Sequence, residues 1–156
     1  MMKKLMAMLL IAVLSVGQLG CVGLAEAQET AREAIYDLDD LTGTWVFASA
    51  VMADGTSLNP IEYAVANEIP QEILAEGIAL IMKLAFDEEG KVTESVNDEY
   101  FYNGTYTFDG KNMVSVAMED GRTMEAEMAD IYLEGELTTT LAIVDNGVVF
   151  LYAQID

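Results

Sequence analysis

The chain has 156 residues, of which 53% are apolar, and carries 27 Asp and Glu against 7 Lys and Arg for a net charge of −20. That length and apolar content exclude a disordered chain and allow one domain with one core. There is no histidine and the single cysteine, Cys21, lies close to the N-terminus, so a chain processed beyond it has no imidazole base, thiolate or His/Cys metal cage, and its charge repels nucleic acid and anionic membrane surfaces.

Lys3 and Lys4 precede an apolar run over residues 5–16. This is the grammar of a secretory leader, and the run is short for a membrane span. Ala25-Glu26-Ala27 is an A-x-A cleavage site, which makes residues 1–27 a signal peptide and 28–156 a single exported domain. A competing site, Gln18-Leu19-Gly20-Cys21, resembles a bacterial lipobox, in which Cys21 is lipidated and retained as a membrane anchor. Cleavage after Ala27 removes Lys3, Lys4 and Glu26, leaving 26 acids against 5 bases and a net charge of −21. Self-repulsion at that imbalance predicts that NaCl raises the thermal midpoint at pH 7. A clear fall with salt would instead show specific ion pairs outweighing the net charge.

Thr30-Ala31-Arg32-Glu33 has the spacing of a capping box and predicts a short helix over 31–38. Gly43 releases the chain into a first strand over 44–52, which Asp54-Gly55 ends. Next, Asn59 as cap, Pro60 at the first helical position and Glu62 in the first turn open a helix whose stripe is Ile61, Val65 and Ile69. Pro70 breaks it, and one more short helix over 71–76 ends at Gly77.

The period then becomes two. Ile78, Leu80, Met82, Leu84 and Phe86 form one side of a strand, and the 87–90 turn leads to a strand holding Val92 and Val96. Asn97-Asp98 turns into a strand over 100–108, with Gly104 as an expected bulge or bend. Asp109-Gly110, Asp120-Gly121, Glu134-Gly135 and Asn146-Gly147 mark the later turns. Between them lie the alternating sets Val114/Val116/Met118, Met124/Ala126/Met128, Leu137/Thr139/Leu141/Ile143 and Val148/Phe150/Tyr152, with 131–133 as a separate short strand. The result is an all-β fold: an antiparallel up-and-down meander of about eight strands closing into a small barrel, with a short N-terminal helix and a helical insert between the first two strands.

Leu41-Thr42-Gly43-Thr44-Trp45, behind a short helix and opening a meander, resembles the lipocalin family, and strand order extends the resemblance over residues 35–152. It implies a barrel whose first strand starts at Gly43 and whose closed end is plugged by Trp45. The family's Arg on the last strand and its Thr-Asp-Tyr element have no counterpart here, since no basic residue follows Arg122. Gly43 and Trp45 therefore carry over as structural residues, and ligand chemistry does not. The run from Phe86 to Val92 also resembles META-type domains, whose Gly-Cys-Asn element is replaced here by Ser95-Val96-Asn97.

Eight strands leave room for packed side chains or for one small ligand. Trp45, Phe47, Met82, Leu84, Tyr106, Phe108, Met118, Met124, Phe150 and Tyr152 are the ligand-lining residues if the barrel is hollow, with Tyr106 and Tyr152 as polar anchors. If it is filled, they are core. The helical insert is correspondingly a lid or a plug, with Ile61, Val65 and Ile69 turned inward. Four serines beyond the leader have no histidine to activate them, and no acidic run has EF-hand spacing. The expectation is an exported binding protein with no enzymatic activity, cofactor or metal. It serves either a small neutral apolar ligand or, as an interaction or structural module, an unidentified protein.

Overall fold

The computed structural model describes residues 35–74, 80–133 and 135–155. The leader with both processing sites, the Thr30–Glu33 box, Gly77 and Ile78 lie outside these residues. Of the expected 31–38 helix, residues 31–34 also lie outside them and 35–37 are not helical; helix α1 (Leu38–Leu41) begins where the Asp37 carboxylate caps the Asp40 amide at 3.1 Å and the Asp40 carboxylate returns to the Asp37 amide at 2.8 Å. Strand β1 (Gly43–Val51) follows directly, and the two-residue β2 (Ser57–Leu58) pairs with its far end. Helix α2 (Pro60–Ala66) has the expected cap: Asn59 accepts from the amides of Ile61 and Glu62, and Glu62 accepts from the Asn59 amide. It thus falls after β2 rather than directly after the first strand. Of the expected 71–76 helix, the described part is a 3₁₀ turn, Gln71–Ile73.

The remaining strands are β3 (Met82–Phe86), β4 (Lys91–Val96), β5 (Tyr100–Phe108), β6 (Met113–Met118), β7 (Thr123–Leu133), β8 (Glu136–Asp145) and β9 (Val148–Ile155). The two strands expected over 124–133 are one, β7. Every pairing is antiparallel, and β9 pairs back onto β1, so β1 and β3–β9 close an eight-stranded meander barrel. Closure removes free edges along the wall. The register shift falls between Phe47 and Ser49 in β1, where Ala48 is the extra residue, and not at Gly104. Gly104 serves a different purpose: a Cβ there would stand 2.6 Å from the Ala117 carbonyl oxygen and 2.8 Å from the Met118 sulfur. The absent side chain lets β5 press against β6.

Cross-strand partners share a face, so the register defines rows of inward side chains. One row is Trp45, Leu84, Glu94 and Tyr102; another is Phe47, Tyr152, Leu141 and Met128. At one end, α1 lies beneath the barrel: the buried Trp45 indole donates to the Leu41 carbonyl at 2.8 Å, and the Gln154 amide donates to the carbonyl of Thr42 at 2.9 Å. Tyr36 joins the same end through its amide, which donates to Lys111 at 2.9 Å. Among the described residues its buried hydroxyl has no partner in hydrogen-bond geometry, and burial, followed by the nearby Asp130 carboxylate, pushes the phenol well above its ordinary range. On the outer face, Ile131, Val149 and Leu151 form a second buried cluster with Val51, Ala129 and Ala142.

The turns follow their local chemistry. Asn97 and Asp98, both at positive φ, and Asn146-Gly147 make the left-handed pairs that match strand twist. Asp109 accepts from the amides of Lys111, Asn112 and Met113 at 2.8, 3.0 and 3.0 Å, which holds its carboxyl below the usual range. A depressed folded-state pKa contributes stability above the unfolded value of about 3.9, and this is lost as pH falls through the folded value. Asp109→Ala should therefore lower the thermal midpoint at pH 7, and the gap from the parent should shrink as pH drops below about 4. Melts from pH 7 to pH 2.5 test this; a gap that stays constant would mean the carboxylate is not the relevant acceptor.

Candidate functional site: the barrel interior and its mouth

All ten expected lining residues are brought together inside the barrel. Trp45, Phe47, Leu84, Tyr106, Met118 and Tyr152 are buried in the main core, and Met82, Phe108, Met124 and Phe150 pack against it half-buried. Around Phe47 the rings touch one another: Tyr63 at 5.7 Å, Phe150 at 5.9 Å and Tyr152 at 6.0 Å between centroids, with Tyr63 and Phe150 5.4 Å apart. The two Tyr63 contacts are edge-to-face, a favoured aromatic geometry, and the contacts of Phe47 with Phe150 and Tyr152 are tilted. Phe86 and Tyr106 make a further such pair at 5.1 Å.

The two expected polar anchors differ. The Tyr106 hydroxyl donates to the Asp87 carbonyl, so the chain itself satisfies it. The Tyr152 phenol is pushed up by burial first and by the negative charge of the Glu94 carboxylate second.

Helix α2 sits at the end opposite α1, but not as its stripe suggests. Ile61 is 46% exposed and Val65 73% exposed, while Ala64 is buried and Tyr63 carries the ring contacts. The helix ends at Ala66, before Ile69, so a stripe of three is never assembled on one helical face. In a seven-residue helix one ring seated between Phe47 and Phe150 is enough to fix which side faces in.

The same end holds a polar group that the sequence analysis did not single out. Glu94 lies on the inner face of β4 between Val92 and Val96, with its side chain 11% exposed. Arg122, in the turn between β6 and β7, reaches it with Nη2 at 2.6 Å and holds Asp120 with Nε at 2.7 Å. The Arg122 guanidinium carbon stands 5.0 Å from the centroid of the Tyr102 ring. The Glu94 hydrogen bond, then that of Asp120, raises the guanidinium pKa further above its ordinary value. The signal for Glu94 was its parity with Val92 and Val96. Its partner, 28 residues away, has no local signal.

Outside the wall, Asp87, Lys91, Thr93, Asn103, Thr105 and Glu119 line a groove of about 480 Å³, which none of the ten interior residues borders. It lies where Gly104 brings β5 against β6. Among the described residues no three carboxylates converge to hold a metal ion. The protein is an eight-stranded antiparallel closed β-barrel, and among the described residues one α-helix lies at either end. Comparison with family models, curated proteins and solved structures gives no match.

Proposed function

We propose that this chain is an exported, non-catalytic binding protein of lipocalin-like build. Its barrel is filled by its own side chains, and its working surface is the mouth rather than the interior. The observation that carries this reading is the run Tyr100-Phe101-Tyr102: three consecutive aromatics at the mouth, each at least 40% exposed. Aromatic side chains left in water at a rim, beside Arg122, match the composition of protein interfaces. The ring network around Phe47 supports the filled interior. The leader and Ala27 site support export, with Cys21 lipidation as the route to an anchored form. Half-buried Met82, Met124 and Phe150 near α2 are what favours the second reading, a small neutral apolar ligand held under the helix.

A photo-crosslinking amino acid placed at Tyr100 or Val65, at the mouth, and at Leu137 or Ile35, at the other end, separates these readings in the native host. Adducts with a host protein from the mouth positions alone are expected. Adducts from the Leu137 and Ile35 positions alone, or from none, would overturn the assignment.

A further inference from the structure

The corner formed by Glu94, Tyr102 and Arg122 has the parts of a receptor for a cation. A carboxylate with little solvent access lies inside an otherwise apolar wall, and an aromatic ring directly across the β4–β5 pair offers its face. A guanidinium fits both groups, by a charge-assisted hydrogen bond to one and a cation–π contact with the other. The guanidinium now in place belongs to the chain itself. Arg122 approaches from the turn at Asp120-Gly121, and 46% of its side chain is exposed, so this corner opens to water on the side from which a partner would arrive.

Arg122 also has a second carboxylate. Its Nε is bonded to Asp120, which lies in the same turn and is exposed. An incoming guanidinium that takes Glu94 therefore leaves no charge stranded: Glu94 keeps a cation, and Arg122 keeps Asp120. This matters because removing one member of a buried ion pair is strongly destabilising, whereas exchanging it is not. The surplus of acids over bases draws cationic partners toward the protein from a distance.

We propose that Glu94 and Tyr102 form the recognition site for an arginine side chain on a protein partner, and that Arg122 is its internal stand-in, displaced when the partner docks. The proposal rests on the reading of the mouth as a protein-binding surface and supplies the chemistry of the residue recognised there.

The test uses the peptide acetyl-Leu-Arg-Leu-amide and its citrulline counterpart, which keeps the shape and loses the charge. The Arg122 Nη2–H resonance of the isotopically labelled wild-type domain, from the group bonded to Glu94, reports displacement directly. A saturable shift with the arginine peptide and none with the citrulline peptide is expected. Arg122→Gln, which vacates the corner, should bind the arginine peptide at least about fivefold more tightly, the scale of a modest coupling between two competing occupants. Glu94→Gln should abolish the binding. Equal response to the two peptides, or affinity unchanged by Glu94→Gln, would overturn the proposal; so would failure of the wild-type resonance to move, and this readout stands even if a variant does not fold. Host-protein adducts from the mouth positions, together with no arginine response, would remove the cation site and leave the interaction surface intact.

Discussion

Gly104→Val is expected to lower stability by about 3 kcal/mol, at the upper end of what overpacking costs. The reason is the identity of the obstructing atoms. Besides the Ala117 carbonyl oxygen, a Cβ at position 104 would stand 3.0 Å from the Met118 Cα, and both belong to the backbone of β6. A flexible side chain can swing aside, but a paired strand can move only by losing its register with β5, which runs from Gly104–Met118 to Phe108–Val114. Gly110→Val is the control: nothing among the described residues lies within 4 Å of a Cβ there, so its cost comes from the positive φ of 77° and should be about 1–2 kcal/mol. Urea denaturation of both variants separates lost space from backbone strain. Equal costs at the two positions would contradict the close approach of β5 and β6.

Trp45→Ala should cost about 4 kcal/mol, the range for truncating a large buried ring. Trp45 is fully buried, and its indole is the donor that ties the Leu41 carbonyl, and hence the end of α1, beneath the barrel. Trp45→Phe restores most of the ring and omits the donor, leaving a buried carbonyl unpaired at a cost of about 2 kcal/mol. Far-UV circular dichroism in urea measures both, since each variant lacks the only tryptophan. If Trp45→Phe were as damaging as Trp45→Ala, the hydrogen bond rather than the packing would hold this end of the barrel.

The strands were legible because their determinants are local. Alternation such as Met124, Ala126, Met128, bounded by the Asp120-Gly121 and Glu134-Gly135 turn signals, specifies face and spacing without reference to the rest of the chain. The start of α2 was legible for the same reason, since Asn59, Pro60 and Glu62 cap it from within four residues. Its orientation was not. Ile61 and Val65 are the more apolar pair, yet Tyr63 faces in, because the decisive contacts are with Phe47 and Phe150 on distant strands. Ala48 as a bulge and Gly104 as a contact point are likewise properties of strand pairs, and the mouth ion pair joins residues that meet only after β4, β5 and β6 are in register. Gathering the ten interior residues followed from parity. Whether they leave a space among them is a matter of side-chain packing, which parity does not set.

That distinction is the centre of the account, and titration of the wild-type domain with the neutral apolar dye Nile red, read by dye emission and by Trp45 emission, tests it most directly. A barrel filled by Phe47, Leu84, Met118, Met128, Leu141 and Tyr152 offers no enclosed space, so dye emission should rise without saturation and Trp45 emission should stay unchanged. Saturable one-to-one binding accompanied by a change in Trp45 emission would contradict the filled interior and return the barrel to the role of a small-molecule carrier.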